Sequence, residues 1–501
     1  MISTIVSTSV KYFLSQTNNN KNYLNAHSNS PFNLKPVFLA GLLCLLVANT
    51  AQAETFAMLL QNARSNEPTY LGAKAALQAA EARSDQAFGT MLPQISVNAS
   101  TTYNGREYQT RTAGTQAAQD HYNSHSQQLS LTQPIWRYAN FISLQQANNV
   151  THQAEQQLAN TEQELVTKIV SAWFDMMAAR DTELFAMQQV AVTQNQQQIA
   201  KRGVALGAIS QPELDNAMAK FSQATTDAVS AEIDVNLKQA ALEQIVGNLQ
   251  QPKIAFIKEN VDLANLSNET LENLLVTLEA SNPNILAATQ AYKAAKDEVN
   301  KQRAGHQPTL DLVASYGKNS QAVGGFPGQA GYDIKQSAIG LQLNIPVYSG
   351  GAQSAKVAEA VANSEKARLD IEVAKRAAVF AIKQAWYGWH AAFDRAQSGE
   401  QSIKAAQSAV AFASLAGKNG LKAELELLQA QQQLSAAQRD FRKGRYDQIV
   451  NYVKLKSLTM SLTADDISAL DALFADTPDD IKQAEAEIKS ARLLVLARFV
   501  K

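Results

Sequence analysis

The stretch of residues 135–202 contains neither glycine nor proline, and it strongly limits the folds open to this chain. Pro134 precedes it, and Gly203 and Gly207 follow it. At about 1.5 Å per residue, an uninterrupted helix of this length extends roughly 100 Å. Helices of globular proteins average only about three to four turns. The stretch therefore predicts a rod that must pack along another long rod.

The chain also repeats itself at an offset of about 212 to 216 residues, which is the signature of an architecture built twice. The matched pairs, first copy before second, are Ser65 and Ser281, Pro68 and Pro283, Pro93 and Pro308, Pro134-Ile135-Trp136 and Pro346-Val347-Tyr348, Ala172-Trp173-Phe174 and Ala385-Trp386-Tyr387, and Gly207 and Gly420. One half of the protein is thus a duplicate of the other.

The amino terminus has the pattern of a secretory signal peptide, residues 1–53. An apolar run at residues 37–47 is followed by Ala51-Gln52-Ala53, which predicts cleavage before Glu54. The only cysteine, Cys44, lies in that run, so the mature chain has no disulfide and no thiol chemistry. No later apolar run approaches the roughly 20 residues of a membrane helix. The chain is therefore expected to be exported.

Two β-hairpins are predicted, one in each half. Residues 94–103 with 127–135, and residues 309–316 with 334–347, alternate roughly between apolar and polar side chains. Strands of about nine to ten residues have the length of transmembrane strands. Residues 104–126 and 318–332 are predicted as polar loops that face outside the cell. In isolation, a soluble hairpin packed on a core explains the alternation equally well.

Each long helix is followed, after a glycine turn, by a second rod. The second long helix is predicted over residues 352–417, and the two following rods over residues 212–246 and 422–458. Apolar residues recur every seven positions in these rods, with one polar break: Leu214, Phe221, Ala228, Val235 and Leu242, then Leu427, Leu434, Phe441, Gln448 and Leu455. A sustained seven-residue period predicts coiled-coil packing.

The repeat and the leader together predict the division of the chain. A first structural repeat covers residues 54–262, with its hairpin at 94–135 and long helices at 136–246. A second repeat covers residues 263–462, with its hairpin at 309–347 and long helices at 352–458. Residues 463–501 form a carboxy-terminal periplasmic tail. Residues 250–275 and this tail are predicted as irregular segments with short helices.

Four strands cannot close a barrel, and open sheet edges are not tolerated in hydrocarbon. The chain is therefore expected to pool its hairpins with other copies of itself. Two copies supply about eight strands, whose interior side chains would fill, whereas three supply about twelve and leave a lumen. Strand counting alone leaves both possibilities open.

The sequence resembles the TolC family of trimeric outer-membrane efflux and secretion channels. The resemblance rests on the leader, the duplicated hairpin-and-rod plan, the proline and aromatic residues at the strand exits, and the glycine turns followed by acids. The resemblance covers residues 54–462. It implies a mainly α fold in which a long coiled-coil α-barrel continues a twelve-stranded transmembrane β-barrel shared by a homotrimer. It also implies a location in the outer membrane, no cofactor, and two partners: a periplasmic adaptor (membrane fusion) protein and an inner-membrane pump or ABC exporter.

The same resemblance assigns residues to a periplasmic gate at the two glycine turns. Lys422 stands two positions after Gly420, where the family has a basic residue that bonds the acid of the first turn, here Glu213. Glu426 and Gln429 match two rings of acids at the constriction, and the glutamine makes one ring neutral. Gly417 replaces a tyrosine of the usual lock. Gly207 and Gly420 mark the helix-turn tips that would contact the adaptor.

The sequence shows no catalytic constellation, phosphate-binding loop or metal-ligand spacing, so we expect a protein that is not an enzyme. The mid-helix aromatic residues, among them Trp173 and Trp386, are best explained by packing between the rods. Two function classes remain at this stage. One is a passive exit duct for small molecules or secreted proteins. The alternative is a trimeric coiled-coil surface stalk or adhesin without an open lumen, and single-channel conductance separates the two.

Overall fold

The computed structural model describes residues 56–108, 118–247, 256–257, 270–324, 329–416 and 421–475. At a few positions beside the gaps it describes the backbone only. The predicted signal peptide and the last part of the predicted tail, residues 476–501, lie outside these ranges. Among the helices described, none is both long enough and apolar enough to cross a membrane.

The order of elements in the first half recurs in the second. The first half contains α1 (Phe56–Asn66), α2 (Pro68–Gly89), β1 (Gln94–Tyr108), β2 (Ala118–Trp136), α3 (Tyr138–Ala205) and α4 (Gln211–Val246). A short strand, β3 (Phe256–Ile257), follows. The second half contains α5 (Leu271–Ser281), α6 (Pro283–Ala304), β4 (Thr309–Val323), β5 (Ala330–Asn344), α7 (Ala352–Ala416) and α8 (Leu421–Leu458). The chain continues with α9 (Ala464–Ala472) and β6 (Phe474–Ala475).

The predicted rods are present as continuous helices. The two longest, α3 and α7, contain 68 and 65 residues. Helix α3 packs along α4 and α6, and α7 packs along α6 and α8. Because α3 also packs on α8, the two halves of the chain are held together by helices of both repeats.

The breaks between the short helices have the same chemistry in both repeats. Pro68 and Pro283 each occupy the first helical turn, where a missing N–H costs little. Glu67 caps α2 by accepting a hydrogen bond from the Tyr70 amide at 2.6 Å. Asn282 caps α6 through the amides of Asn284 and Ile285, at 3.1 and 3.2 Å. These caps explain why the matched prolines interrupt the helices at matched places.

The hydrophobic core lies at mid-length of the long helices, where α1, α3, α4, α5, α7 and α8 meet. Its members include Phe56, Leu59, Ile169, Trp173, Phe174, Met177, Leu242, Leu278, Ile382, Trp389, Ile449 and Val453. The seven-residue pattern of the second rods forms part of this core. Val235, Leu242 and Leu455 are buried, whereas Leu214 and Leu427, at the other end of their rods, are only partly buried. The apolar residues of the seven-residue pattern are therefore buried within the chain at one end of each rod and only partly buried at the other.

The strands form one antiparallel sheet in the order β1-β2-β4-β5. They contain 15 to 19 residues each, so the predicted length of nine to ten was wrong. Much of the predicted loops is strand, because polar residues such as Asn104 and Ser124 continue the ladder and bond each other across it, at 2.8 Å. Backbone pairing does not require apolar side chains, and the alternation marks only the apolar part of each strand.

A second, two-stranded sheet was not predicted. Phe256 and Ile257 of β3 pair antiparallel with Ala475 and Phe474 of β6. The segments lie far apart in the sequence and are two residues long, so neither carries a periodic signal. They join a segment after α4 to the carboxy-terminal region, which was predicted to be irregular.

Candidate functional site

One face of the four-stranded sheet is apolar. Directly opposed residues of antiparallel strands share a face, and successive residues alternate between faces. Two rows of this face read Ile95, Leu131, Ala314, Ile339 and Val97, Leu129, Tyr316, Ser337. The pairs Leu312–Leu341 and Leu310–Leu343 continue it toward the helices. Ile339 and Leu341 are 78% and 65% exposed, so these side chains have no cover within the chain.

The opposite face is polar. Its rows include Ser96, Ser130 and Ser315, and Asn98, Gln128, Gly317 and Gln336. Around residues 121–127 of β2 the side chains of the apolar face are exposed and those of the polar face are partly shielded. This alternation indicates that the sheet curves, with its polar face on the concave side. A curved sheet with these faces is a segment of a barrel with an apolar exterior.

The sheet is not closed within one chain. Among the described residues, β1 and β5 each pair on one side only and leave their other backbone edge open. Edges of 15 residues with apolar side chains are templates for further strands. A chain of this kind requires another copy, or another protein, to complete its sheet.

The sheet continues almost without interruption into the helices. Only Arg137 separates β2 from α3. The Arg137 guanidinium donates two hydrogen bonds, of 2.8 and 2.6 Å, to the buried carboxylate of Asp311 in β4. This bidentate pair joins the first hairpin to the second at the point where strand becomes helix. Neither residue was singled out from the sequence, because the pairing partners are distant in the chain.

The turn between α3 and α4 is tight and well defined. Gly207 has a φ of +72°, a conformation that favours glycine. The Gly203 carbonyl accepts hydrogen bonds from the amides of Ala208 and Ile209, at 2.8 and 3.2 Å, and the Ile209 side chain lies directly over Gly203. Leu206 at this tip is 79% exposed. The tip thus presents an apolar side chain outward from a rigid turn.

Glu213 has a local role in the structure. Its carboxylate accepts a hydrogen bond from the Ser210 amide at 3.0 Å, and Ser210 in turn caps α4, so the two form a capping box. Gly420 and Gly417 lie outside the described residues, and so does the side chain of Lys422. The predicted bond between Lys422 and Glu213 therefore stays a prediction. Glu426 and Gln429 are exposed on α8, one helical turn apart.

The sequence reasoning missed a buried polar cluster at mid-length of α3. Asp181 is 4% exposed; its carboxylate accepts hydrogen bonds from the Arg442 guanidinium at 2.8 Å and from the Tyr446 hydroxyl at 2.9 Å. Burial raises the pKa of Asp181 despite the opposing effect of Arg442, and it raises the pKa of Tyr446 well above its usual value. The cluster ties α3 of the first repeat to α8 of the second.

Comparison with known proteins identifies the family. The sequence profile described as "Outer membrane efflux protein" matches residues 59–248 and 274–459, which is most of the chain and both repeats.

The chain belongs to the outer membrane efflux protein family. It is 24% identical to Outer membrane protein TolC of Vibrio cholerae over 439 residues, covering 88% of this chain and 98% of that protein. It is 23% identical to Proteases secretion protein PrtF of Dickeya chrysanthemi over 363 residues, covering 71% and 77%. The structure superposes on the CmeC outer membrane channel of Campylobacter jejuni with a TM-score of 0.68 and 16% identity, covering 92% and 98% of the two chains.

Membership of this family places the protein in the outer membrane and confirms the predicted fold class. The apolar face of the sheet is then the face toward lipid, and aromatic side chains lie at its two ends. Tyr316 is exposed in the last apolar row toward the hairpin loops, and Trp136 and Tyr348 are exposed toward the helices. Tyrosine and tryptophan are enriched at membrane–water interfaces, so these residues delimit the part of the sheet that crosses the membrane.

Proposed function

We propose that this chain is the exit duct of a tripartite efflux pump or a type I secretion system. Three copies share a twelve-stranded barrel, and their long helices form a tube that crosses the periplasm. Small molecules, drugs or secreted proteins pass through it without catalysis. The names of the relatives support both efflux and secretion, since they include the outer membrane efflux protein BepC and the protease secretion proteins PrtF and AprF.

The observation that carries this proposal is the two-faced, open-edged sheet joined directly to the long helices. A surface stalk without a lumen needs no polar concave face. Serines, asparagines and glutamines occupy three of the four positions in each of three successive rows of that face, as expected for the wall of a water-filled passage. The apolar convex face and the unpaired edges of β1 and β5 complete the requirements of a barrel formed by several chains.

The orientation follows from this arrangement. The strands of the two hairpins end at Tyr108 and Ala118, and at Val323 and Ala330, and we propose that these ends face the outside of the cell. The α3–α4 turn then lies in the periplasm, about 100 Å from the sheet at about 1.5 Å per residue of α3. Division of the chain into a leader (1–53), two repeats (54–262 and 263–462) and a tail (463–501) belongs to the same proposal.

We place the periplasmic gate at the two glycine turns. Lys422 and Glu213 would hold it closed, and Glu426 and Gln429 would line it as one acidic and one neutral ring. Glu213 and Glu426 are exposed, so an ion pair here contributes about 0.2–1 kcal/mol, repeated three times. The tips at Gly207 and Gly420 would bind a periplasmic adaptor, which in turn binds an inner-membrane pump or ABC exporter.

Conductance in planar lipid bilayers tests the duct. Purified mature protein should form a trimer by native mass measurement and should give discrete single-channel currents that favour cations. Lys422→Ala and Glu213→Ala should each raise the conductance, and the double variant should give no further gain. A trimer that inserts into the bilayer and passes no current would instead support the stalk. Unchanged conductance in both single variants would move the gate to other residues.

A further inference from the structure

The exposed face of the sheet changes character abruptly toward the hairpin loops. Below this boundary, the row of Val97, Leu129, Tyr316 and Ser337 and the rows nearer the helices carry no charged side chain. The next row toward the loops contains Ala99, Gln127, Lys318 and Lys335. Two lysines thus stand side by side at the edge of the apolar band.

We propose that Lys318 and Lys335 bind a phosphate group on the headgroup of an outer-leaflet lipid, with the acyl chains of that lipid lying along the apolar band. This inference rests on the proposed orientation, in which the hairpin ends face the outside of the cell. The three copies of the duct would carry three such sites around the barrel.

The register puts the two ammonium groups on the same side of the sheet. Lys318 and Lys335 are directly opposed in neighbouring strands, so their Cβ atoms are about 4.5–5.5 Å apart. Both side chains are exposed. Like charges in direct opposition are unfavourable unless an anion lies between them. A phosphate group has the charge and the acceptor oxygens to bridge two lysines at this separation.

The chain itself neutralises this pair only in part. The carboxylate of Asp333, in the adjacent row, lies 3.9 Å from the Lys318 ammonium, at the limit of an ion pair. The same carboxylate accepts a hydrogen bond from the Ser320 hydroxyl and also attracts the Lys335 ammonium, and these interactions lower the pKa of Asp333. Two lysines therefore share one carboxylate, so the cluster keeps one net positive charge beside the band, with Gln127 as a neutral donor in the same row.

The neighbouring surface identifies the ligand as a lipid rather than a free phosphate. The row directly below the lysines contains Tyr316 and Ser337, and Ile339 and Leu341 follow in the next rows of β5. A ligand that fits both parts has an anionic head and an apolar tail. Lysines at such a boundary also extend their methylene groups along apolar surface while the ammonium group stays in the polar layer.

The test is native mass spectrometry of the intact trimer in neutral detergent. The probes are lipid A, which carries two phosphates, and the same lipid after enzymatic removal of both. Each lysine near an anionic lipid surface contributes about a fivefold gain in affinity, so Lys318→Gln with Lys335→Gln should weaken lipid A binding about thirtyfold. The dephosphorylated lipid should bind wild type and double variant equally.

Two further variants sharpen the test. Asp333→Asn should strengthen lipid A binding, because it frees Lys318 from its competing carboxylate. Lys366→Gln with Lys404→Gln, on the exposed surface of α7, makes the same charge change away from the sheet and should have no effect. A large excess of inorganic phosphate should displace lipid A only weakly, since it cannot use the apolar band.

The outcomes separate this inference from the proposed duct. If the double variant still forms conducting trimers but binds both lipids as wild type does, the inference is wrong and the duct stands. Equal displacement by inorganic phosphate would also overturn it, because the site would then recognise a free anion. If wild type forms no conducting trimer, the proposed function fails, and the assignment of this face to the outer leaflet fails with it.

Discussion

The middle of the long helices and the two ends of the molecule differ in how completely one chain buries their apolar side chains and pairs their polar groups. In the middle, Phe174, Met177 and Ile449 are buried, and the Asp181 carboxylate has two partners. At one end the sheet exposes its apolar face and both edges. At the other end Leu206 is exposed and Leu214 is only partly buried.

This difference teaches which parts of the molecule depend on other chains. A core that is buried within one chain needs no partner to be stable. In the proposed trimer, other copies of the chain would bury the apolar rows that lack cover, on the sheet and along the rods toward the tips. The central region would then stabilise the fold of a single chain, whereas both ends would become complete only in the assembly.

The largest expected effect comes from removing a central aromatic side chain. Phe174→Ala should lower the free energy of unfolding by about 3–5 kcal/mol, because Phe174 is 2% exposed and contacts Phe56 and Tyr446. Phe412→Ala, near the end of α7 where the side chain is exposed in the single chain, is the matched control and should change the free energy of unfolding of the unassembled chain by less than about 0.5 kcal/mol. Denaturant unfolding measures both. Equal losses would show that the two regions do not differ.

A smaller effect is expected at the junction of sheet and helices. Arg137→Ala leaves the buried Asp311 carboxylate without its guanidinium, which should cost about 1–3 kcal/mol. Lys366→Ala removes an exposed pair with Asp370 and should cost less than about 1 kcal/mol. Thermal unfolding of both variants checks this order. A harmless Arg137→Ala would mean that the two hairpins hold together without this pair.

The Asp181 cluster predicts a pH dependence with a definite sign. Since burial raises the pKa of Asp181, the folded state holds this proton more tightly than the unfolded state does. Its contribution to stability is complete below the unfolded pKa and is lost as the pH rises through the raised folded pKa. Asp181→Asn should remove this part of the pH dependence and keep the bond from Tyr446.

Tyr446→Phe complements that variant. It leaves one carboxylate oxygen of Asp181 without its donor and should cost about 1–2 kcal/mol at neutral pH. Unfolding curves of wild type and both variants at several pH values provide the measurement. If Asp181→Asn follows the wild-type pH dependence throughout, Asp181 does not titrate in this range.

The smallest effect is expected at the tip. Ser210→Ala removes the cap of α4 and should destabilise that helix end by about 1 kcal/mol. Because the tip has little cover in the chain, the loss should stay local. Hydrogen exchange should speed up around residues 206–216 and stay unchanged around Phe174. Faster exchange in the core would show that the tip and the middle unfold as one unit.

The sequence was sufficient to predict the parts with a long period. The glycine- and proline-free stretch and the seven-residue pattern predicted the rods, and Gly207 predicted the turn between α3 and α4. Strand length was underestimated because residues such as Asn104 and Ser124 pair in the ladder but resemble a loop. The β3–β6 sheet had no signal, since each strand has two residues.

Of the candidate site, the sequence predicted positions but not partners. The bond between Glu213 and Lys422 stays a prediction, and the structure adds a contact that was not predicted, in which Glu213 caps its own helix. Asp181 could have been found, because it continues the apolar stripe of Val170, Trp173 and Met177 at helical spacing. A single acid on such a stripe indicates a buried partner, although the sequence does not say which residue it is.

Disulfide cross-linking between sheet edges tests most directly whether copies of this chain complete its sheet. The only cysteine of the sequence is Cys44, in the predicted leader. Introduced cysteine pairs therefore form disulfides without competition from a native cysteine of the mature chain. Ile95→Cys on β1 should be combined in turn with Ile339→Cys, Leu341→Cys or Leu343→Cys on β5. At least one pair should give covalent species that stop at three chains. Absence of cross-links in every pair, or a ladder that continues beyond three chains, would contradict the shared closed barrel.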